Sequence, residues 1–158
     1  MMSKIPSREA SLFCHSILSS LDRLVKCLDG LNENQLNWRP PAPNTNSLYA
    51  LVVHTLAHTE ESLLLTLFDQ PSQRDREQEF QAKGQSADAL IAQWQSLRER
   101  LQQTLLNLSA DDLERKHLHP RRGYITGLDI LIIVATHIAE HVGHAELTRD
   151  LALASTLQ

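Results

Sequence analysis

Three histidines, His137, His141 and His144, stand within eight residues of the stretch HIAEHVGHAELTRD. Imidazole is the side chain best suited to holding a transition metal and to moving a proton near neutral pH. Positions four apart share one face of a helix, so His137 and His141 point the same way. His144 falls within about 20° of His137 by the helical repeat. A pair at this spacing presents two nitrogens to one cation about 2.0–2.2 Å away; the alternative is a pair hydrogen-bonded to neighbours or water. Ile130, Ile133, Val134, Ile138, Ala145 and Leu151 surround this face, while Glu140, Glu146 and Asp150 supply charge elsewhere. The histidines therefore belong at or beside a buried stripe.

A second oily helix carries more of the same chemistry. SLYALVVHTLAHTEESLL sets His54 among Leu51, Val52, Val53 and Leu56, with His58 one turn later. A neutral imidazole survives burial only when both nitrogens find partners. Three histidines gathered from two helices around one ion solve that problem together. Three nitrogen ligands also leave coordination positions open for water or substrate, the pattern of a catalytic site. Such ligation suits zinc, nickel, iron or copper; magnesium and calcium would need a set of carboxylates that the sequence lacks.

The other candidates are weaker. His15 lies near the apolar stripe of the first helix and is expected to pack there. His117 and His119 flank a basic segment beside Arg121 and Arg122, where a solvated loop is expected and anion recognition is the alternative. Adjacent helical residues point about 100° apart, so Cys14 and His15 cannot act as a nucleophile pair. The sequence holds no P-loop, no G-x-S-x-G and no Gly-rich dinucleotide turn.

The elements that must position the histidines follow from composition and period. The 158 residues suit one domain, spanning 1–158, with a substantial core. Hydrophobic content is 42% and aromatic content only 4%, which with abundant Leu, Ala and Gln favours helices over sheets. A net charge of −4 gives no basic footprint for nucleic acid or an anionic membrane. Cys14 and Cys27 lie about 20 Å apart along one helix, too far to pair, and read as reduced thiols of a cytoplasmic protein. MMSKIPSREASLF has no apolar signal region, and the run LDILIIVATHIA is too short to span a bilayer.

Four long helices are predicted: about Ser7–Asp29, with Gly30 as a stop; Asn46 or Ser47 to about Phe68; about Ser86–Asn107, seamed by Leu90, Trp94, Leu97, Leu101 and Leu105; and Thr126 to about Ala154, opened by the T-x-x-D box of Thr126 and Asp129. WRPPAPNTN (38–46) reads as an ordered or extended crossing, 69–84 as an exposed polar loop, and KHLHPRRGYI (116–125) as a basic link. GLNENQLNWRP and NLSADDLERKH follow the first and third helices with the same plan, a capping residue between two leucines five apart. They suggest two helix pairs of similar design packed as a bundle.

With these motifs in view, the chain resembles the DinB/YfiT-like superfamily of metal-dependent enzymes over almost its whole length. The likeness rests on LNENQLNWRPPAPNTNSLYALVVH, with its L-x-W-R-P turn and N-S helix start, on His54, and on HIAEHVGHAELTRDL. It implies an all-α, up-down-down-up four-helix bundle with short additional helical turns. It also implies a three-histidine site for a divalent transition metal (nickel, zinc or iron), one ligand from the second helix and two from H-x-x-x-H on the last. Carried over, the ligands are His54, His137 and His141; His144 takes a place that would orient a ligand or bound water. Relatives of this kind include thiol-dependent S-transferases and a mycothiol-dependent isomerase. The implied activity is therefore S-transfer from a low-molecular-weight thiol to an electrophilic small molecule. A metal-dependent hydrolase and a non-catalytic stress-response or interaction bundle are the alternatives. A homodimer through a helix face is the expected assembly.

Overall fold

A computed structural model describes residues 5–155. Four long helices form the bundle: α1 (Arg8–Lys26), α3 (Leu48–Glu60), α5 (Asp88–Leu105) and α7 (Gly127–Ser155). Between them lie three one-turn helices, α2 (Glu33–Asn37), α4 (Arg76–Gln81) and α6 (Ala110–Glu114), and two short strands, β1 (Lys116–His119) and β2 (Gly123–Thr126). Three of the four long helices, α1, α3 and α7, start where capping chemistry places them. Ser7 accepts a bond from the Ala10 amide at 3.3 Å and Ser47 one from the Ala50 amide at 3.2 Å. Thr126 and Asp129 close a reciprocal box at the head of α7, at 2.9 and 3.1 Å.

α1, α5 and α7 each bury one stripe, while α3 is buried over most of its surface. Ile17, Leu21 and Leu24 of α1 meet Leu97, Leu101 and Leu105 of α5 and Ile130, Leu131 and Val134 of α7 in one hydrophobic cluster. Around the bundle α1 lies between α5 and α7, and α3 lies between the same two helices on the opposite side. The chain must therefore cross the bundle twice, from α1 to α3 and from α5 to α7. Both crossings begin with a one-turn helix closed by a capping box: Asn32 with Gln35 in α2, and Ser109 with Asp112 in α6. Leu36 and Leu113 plug those turns into the core. The echo between the two sequence segments is thus the echo of two equivalent crossings.

Several expectations change. The first helix stops at Lys26, with a turn running to Gly30 at φ +71°, and the third begins at Asp88 rather than Ser86. The second helix does reach Phe68, but Glu61–Leu65 is a π-helical turn and Thr66–Phe68 a 3₁₀ turn. The basic link 116–125 is an antiparallel hairpin, pairing Lys116 with Thr126 and His119 with Gly123. The segment 69–84 is not simply a loop, because it contains α4. The oily run of twelve residues belongs to a 29-residue helix that is, by length and composition alone, able to cross a membrane. Here its apolar stripe packs against α1 and α3.

Candidate metal centre

α3 and α7 face each other and bring His54, His137 and His141 together, with their candidate ligand atoms all within 4.8 Å of one another. Nitrogens about 2.0–2.2 Å from a shared ion lie within this span after small side-chain rotations. The ring centroids confirm the convergence: His54 is 5.2 Å from His137 and 5.1 Å from His141, and His137 is 4.4 Å from His141. His137 Nε2 and His141 Nδ1 are buried and have no hydrogen-bond partner. Orphaned buried nitrogens are costly in a finished core, and a bound cation relieves that cost. The three-histidine group fits a metal-binding site.

The electrostatics favour the ligating form. Burial drives His54 and His137 down to about 3, with Arg74 and His141 adding to the effect at His54, and His141 and His54 at His137. His141 is lowered by burial and then by His144. Each ring is held neutral at physiological pH, as nitrogen ligation requires.

The tautomer of His54 is fixed from behind. Its Nδ1 lies 2.8 Å from Glu79 Oε2 and 3.1 Å from Arg74 Nη2. The nearer carboxylate can only accept and Arg74 Nη2 is already spent on the same Oε2, so Nδ1 carries the proton and Nε2 is left free to ligate. Glu79 in turn accepts a bidentate pair from Arg74, Nε at 2.5 Å and Nη2 at 2.7 Å. Arg74 Nη1 donates to Glu61 at 2.9 Å, and Glu61 also accepts from Ser72 at 2.7 Å and Arg121 at 3.2 Å. Burial alone would raise the Glu61 carboxyl, but the bonds from Ser72 and Arg74 hold it below its ordinary value. Phe80 of α4 stacks on His54 at 4.4 Å between centroids and carries the Arg76 guanidinium on its ring, 4.9 Å from the centroid.

The segment expected to be an exposed loop therefore forms a wall of the site. Arg74, Glu79 and Phe80 lie in 69–84, where no apolar period draws attention. One local signal does exist: Asp75 followed by Gln78 is a helix-start pattern, and Asp75 indeed accepts from the Glu77 and Gln78 amides, both at 3.1 Å.

The other histidines sort differently from expectation. His58, left without a role by sequence, is buried with its ring 4.0 Å from His137 and its Nδ1 unpartnered, though it lies outside the three-histidine group. His144 is exposed, 5.6 Å from His141. His15 is exposed, so it does not pack into the stripe, because it follows buried Cys14 by one helical step. His117 and His119 are buried, 2% and 4% exposed, because alternation along β1 turns both inward. Cys14 and Cys27 are free and buried, and burial raises both thiols, which makes them poor nucleophiles.

Two cavities meet at His54 and His137. One, about 510 Å³, opens on the hairpin side and includes His58, Arg74, His119 and Arg122. The other, about 450 Å³, opens on the side of the 38–46 crossing and includes Pro40, Phe80, His141, His144 and Leu147.

A comparison with known families matches residues 17–145 to the DinB superfamily. Among solved structures, the fold is similar to a crystal structure described as a conserved protein from Enterococcus faecalis. That match has a TM-score of 0.73 and 17% identity, and covers 91% of this chain and 96% of the other. A comparison with curated proteins finds no match.

Proposed function

The chain belongs to the DinB superfamily, and from that premise we propose that it is a metal-dependent enzyme transferring a low-molecular-weight thiol to an electrophilic small molecule. The observation that carries the proposal is the convergence of His54, His137 and His141 from two helices, with orphaned buried nitrogens on two of them. A divalent transition ion such as nickel, zinc or iron, when bound, lowers the pKa of a coordinated thiol or water.

The chain's own residues do the remainder. The three rings would hold the ion, and the two cavities that they help to line adjoin it. Glu79 keeps the proton of His54 on Nδ1, and Arg74 and Glu61 keep Glu79 in place. Phe80 covers His54 and restricts water there. In the transfer the thiol sulfur bonds to the electrophilic carbon, the leaving group departs with the bonding pair, and the thiol proton passes to solvent. A small-molecule substrate, cytoplasmic action and a homodimer complete the proposal.

The test begins with metal analysis of untagged protein. About one transition ion per chain is expected, with sharp loss in each of His54→Ala, His137→Ala and His141→Ala. Absence of metal, with no thermal stabilisation by added zinc or nickel, overturns the proposal. Reaction of small thiols with 1-chloro-2,4-dinitrobenzene then separates the chemistries. Metal-dependent release of chloride with formation of the thioether supports S-transfer, and chloride release with water alone indicates hydrolysis.

A further inference from the structure

We propose that the cavity on the hairpin side of the three histidines is a recognition pocket for the anionic group of the substrate, a carboxylate or a phosphoryl group, bound by Arg76, Arg122 and His119. The occupant's status as substrate rests on the enzyme reading above; the anion preference rests on charge and geometry alone.

The chain as a whole carries −4, yet this cavity is lined by four arginines, Arg74, Arg76, Arg121 and Arg122, against one carboxylate, Glu140. Two of the four are compensated from behind the wall. Arg74 is held between Glu61 and Glu79, and Arg121 reaches Glu61 at 3.2 Å. Arg76 and Arg122 have no ion-pair partner among the described residues. Arg76 is instead braced by the Phe80 ring, which orients a guanidinium without cancelling its charge.

His119 adds a neutral donor. It is only 4% exposed and lines the cavity, and its Nδ1 accepts from the Arg121 amide at 3.1 Å. The proton must then sit on Nε2, for which no protein acceptor lies among the described residues. Burial lowers its pKa first, and Arg121 and Arg122 add to that, so the ring stays neutral and serves as an N–H donor.

Forked guanidiniums and an N–H donor are the groups that bind carboxylate or phosphoryl oxygens. The second cavity offers a contrast: Pro40, Leu51, Phe80, Leu147 and Leu151 give it much of its wall, and among the described residues Arg76 is its only arginine or lysine. An anionic group is therefore directed to the hairpin side, and apolar matter to the other. The hairpin cavity, at about 510 Å³, has the size of a small-molecule pocket.

The test uses the full chain loaded with cobalt and two thiols of equal reach, 3-mercaptopropionate and 3-mercaptopropan-1-ol, followed by thiolate-to-cobalt absorption. The acid is expected to bind about tenfold more tightly than the alcohol. In Arg76→Gln/Arg122→Gln the preference should fall to about twofold or less. Both residues are exposed, so the variant should fold normally. Leu147→Gln, in the apolar cavity, should leave the acid-to-alcohol ratio unchanged. Equal binding of the two thiols by the natural chain, or a preference that survives the double variant, overturns the proposal.

Calorimetric titration of the zinc-loaded proteins with succinate and with inorganic phosphate separates this idea from the thiol chemistry. Either anion can reach the open coordination positions in both proteins, so the difference between natural chain and double variant isolates the arginines. If neither thiol gives a cobalt band while that difference persists, S-transfer fails and the anion pocket stands. If the difference is absent, the anion pocket fails whatever the thiols do. A larger difference for succinate or for phosphate identifies which anion the pocket prefers.

Discussion

At the scale of single residues, the centre depends on how a neutral imidazole is oriented. His54 can offer Nε2 only because Glu79 accepts the proton-bearing Nδ1 at 2.8 Å. Groups that orient a metal-binding histidine typically contribute about 10- to 100-fold in affinity. Glu79→Gln retains the shape but replaces a carboxylate that also anchors Arg74. It should weaken zinc binding by about that factor in a chelator-competition titration, with far-ultraviolet dichroism unchanged. Undiminished affinity would mean that His54 is oriented without Glu79. The convergence of His54, His137 and His141 is legible in sequence, because four-residue spacing on oily helices is a strong geometric constraint. The support behind His54 is not. Arg74 and Glu79 are five apart in a polar stretch, and nothing local distinguishes a buried ion pair from a solvated one.

At the scale of elements, the short pieces between the long helices determine whether the site is built. α4 is docked through charge more than through apolar surface. The side chains of Arg74, Glu61 and Glu79 are 7%, 7% and 8% exposed, so the triad is buried. Removing Arg74 leaves buried Glu79 with only His54 and Glu61 with only Ser72 and Arg121, and breaking one partner out of a buried network of this kind costs up to about 3–5 kcal/mol. Arg74→Ala should therefore lower the urea midpoint markedly and release α4 to proteolysis near Arg76. A midpoint within error of the natural chain would show that solvent screens the two carboxylates. The junction between α6 and α7 is set by close approach: a Cβ on Gly127 would lie 2.6 Å from the Asp112 carbonyl oxygen. That neighbour is backbone and cannot swing aside, so Gly127→Ala should cost about 1–3 kcal/mol in denaturant unfolding. An unchanged midpoint would require α6 to shift freely. The long helices are legible because their apolar positions run over several turns between good start and stop signals. α4 and the hairpin escape because one turn or four residues cannot establish a period, and their polar composition resembles that of a loop. The π turn at Glu61–Leu65 leaves no mark in the pattern either, though it sets the buried Glu61 facing Arg74.

At the scale of the whole molecule, a cluster of neutral histidines in the bundle makes stability depend on both pH and metal. Folding lowers His54 and His137 to about 3 and His58 to about 2, from 6.5 in the unfolded chain. A histidine whose pKa is depressed by folding binds fewer protons in the native state. Its unfolded form is therefore favoured as pH falls below about 6.5, and stability drops until the native pKa is reached. Each such group contributes a slope of about 1.4 kcal/mol per pH unit. Glu61, also depressed, acts in a lower window, because its contribution is lost only as pH falls below its ordinary 4.5. The interval from about pH 6.5 to 4.5 thus belongs to the histidines. In that interval the metal-free chain should lose stability steeply, as read from urea unfolding at a series of pH values. Above it the curve should flatten. Zinc held at about a hundredfold over its dissociation constant should add about 2.7 kcal/mol at pH 7.5, since it binds the folded chain. The same addition should persist toward pH 5, because the folded His54 and His137 stay neutral until about pH 3, and should fall only as that value is approached and protons compete for the ligand nitrogens. His54→Ala/His137→Ala should reduce both the acid slope and the zinc increment together, because the same two rings carry each. If the double variant kept either one, proton and metal would be acting at different histidines, and the centre would have to be sought elsewhere in the bundle.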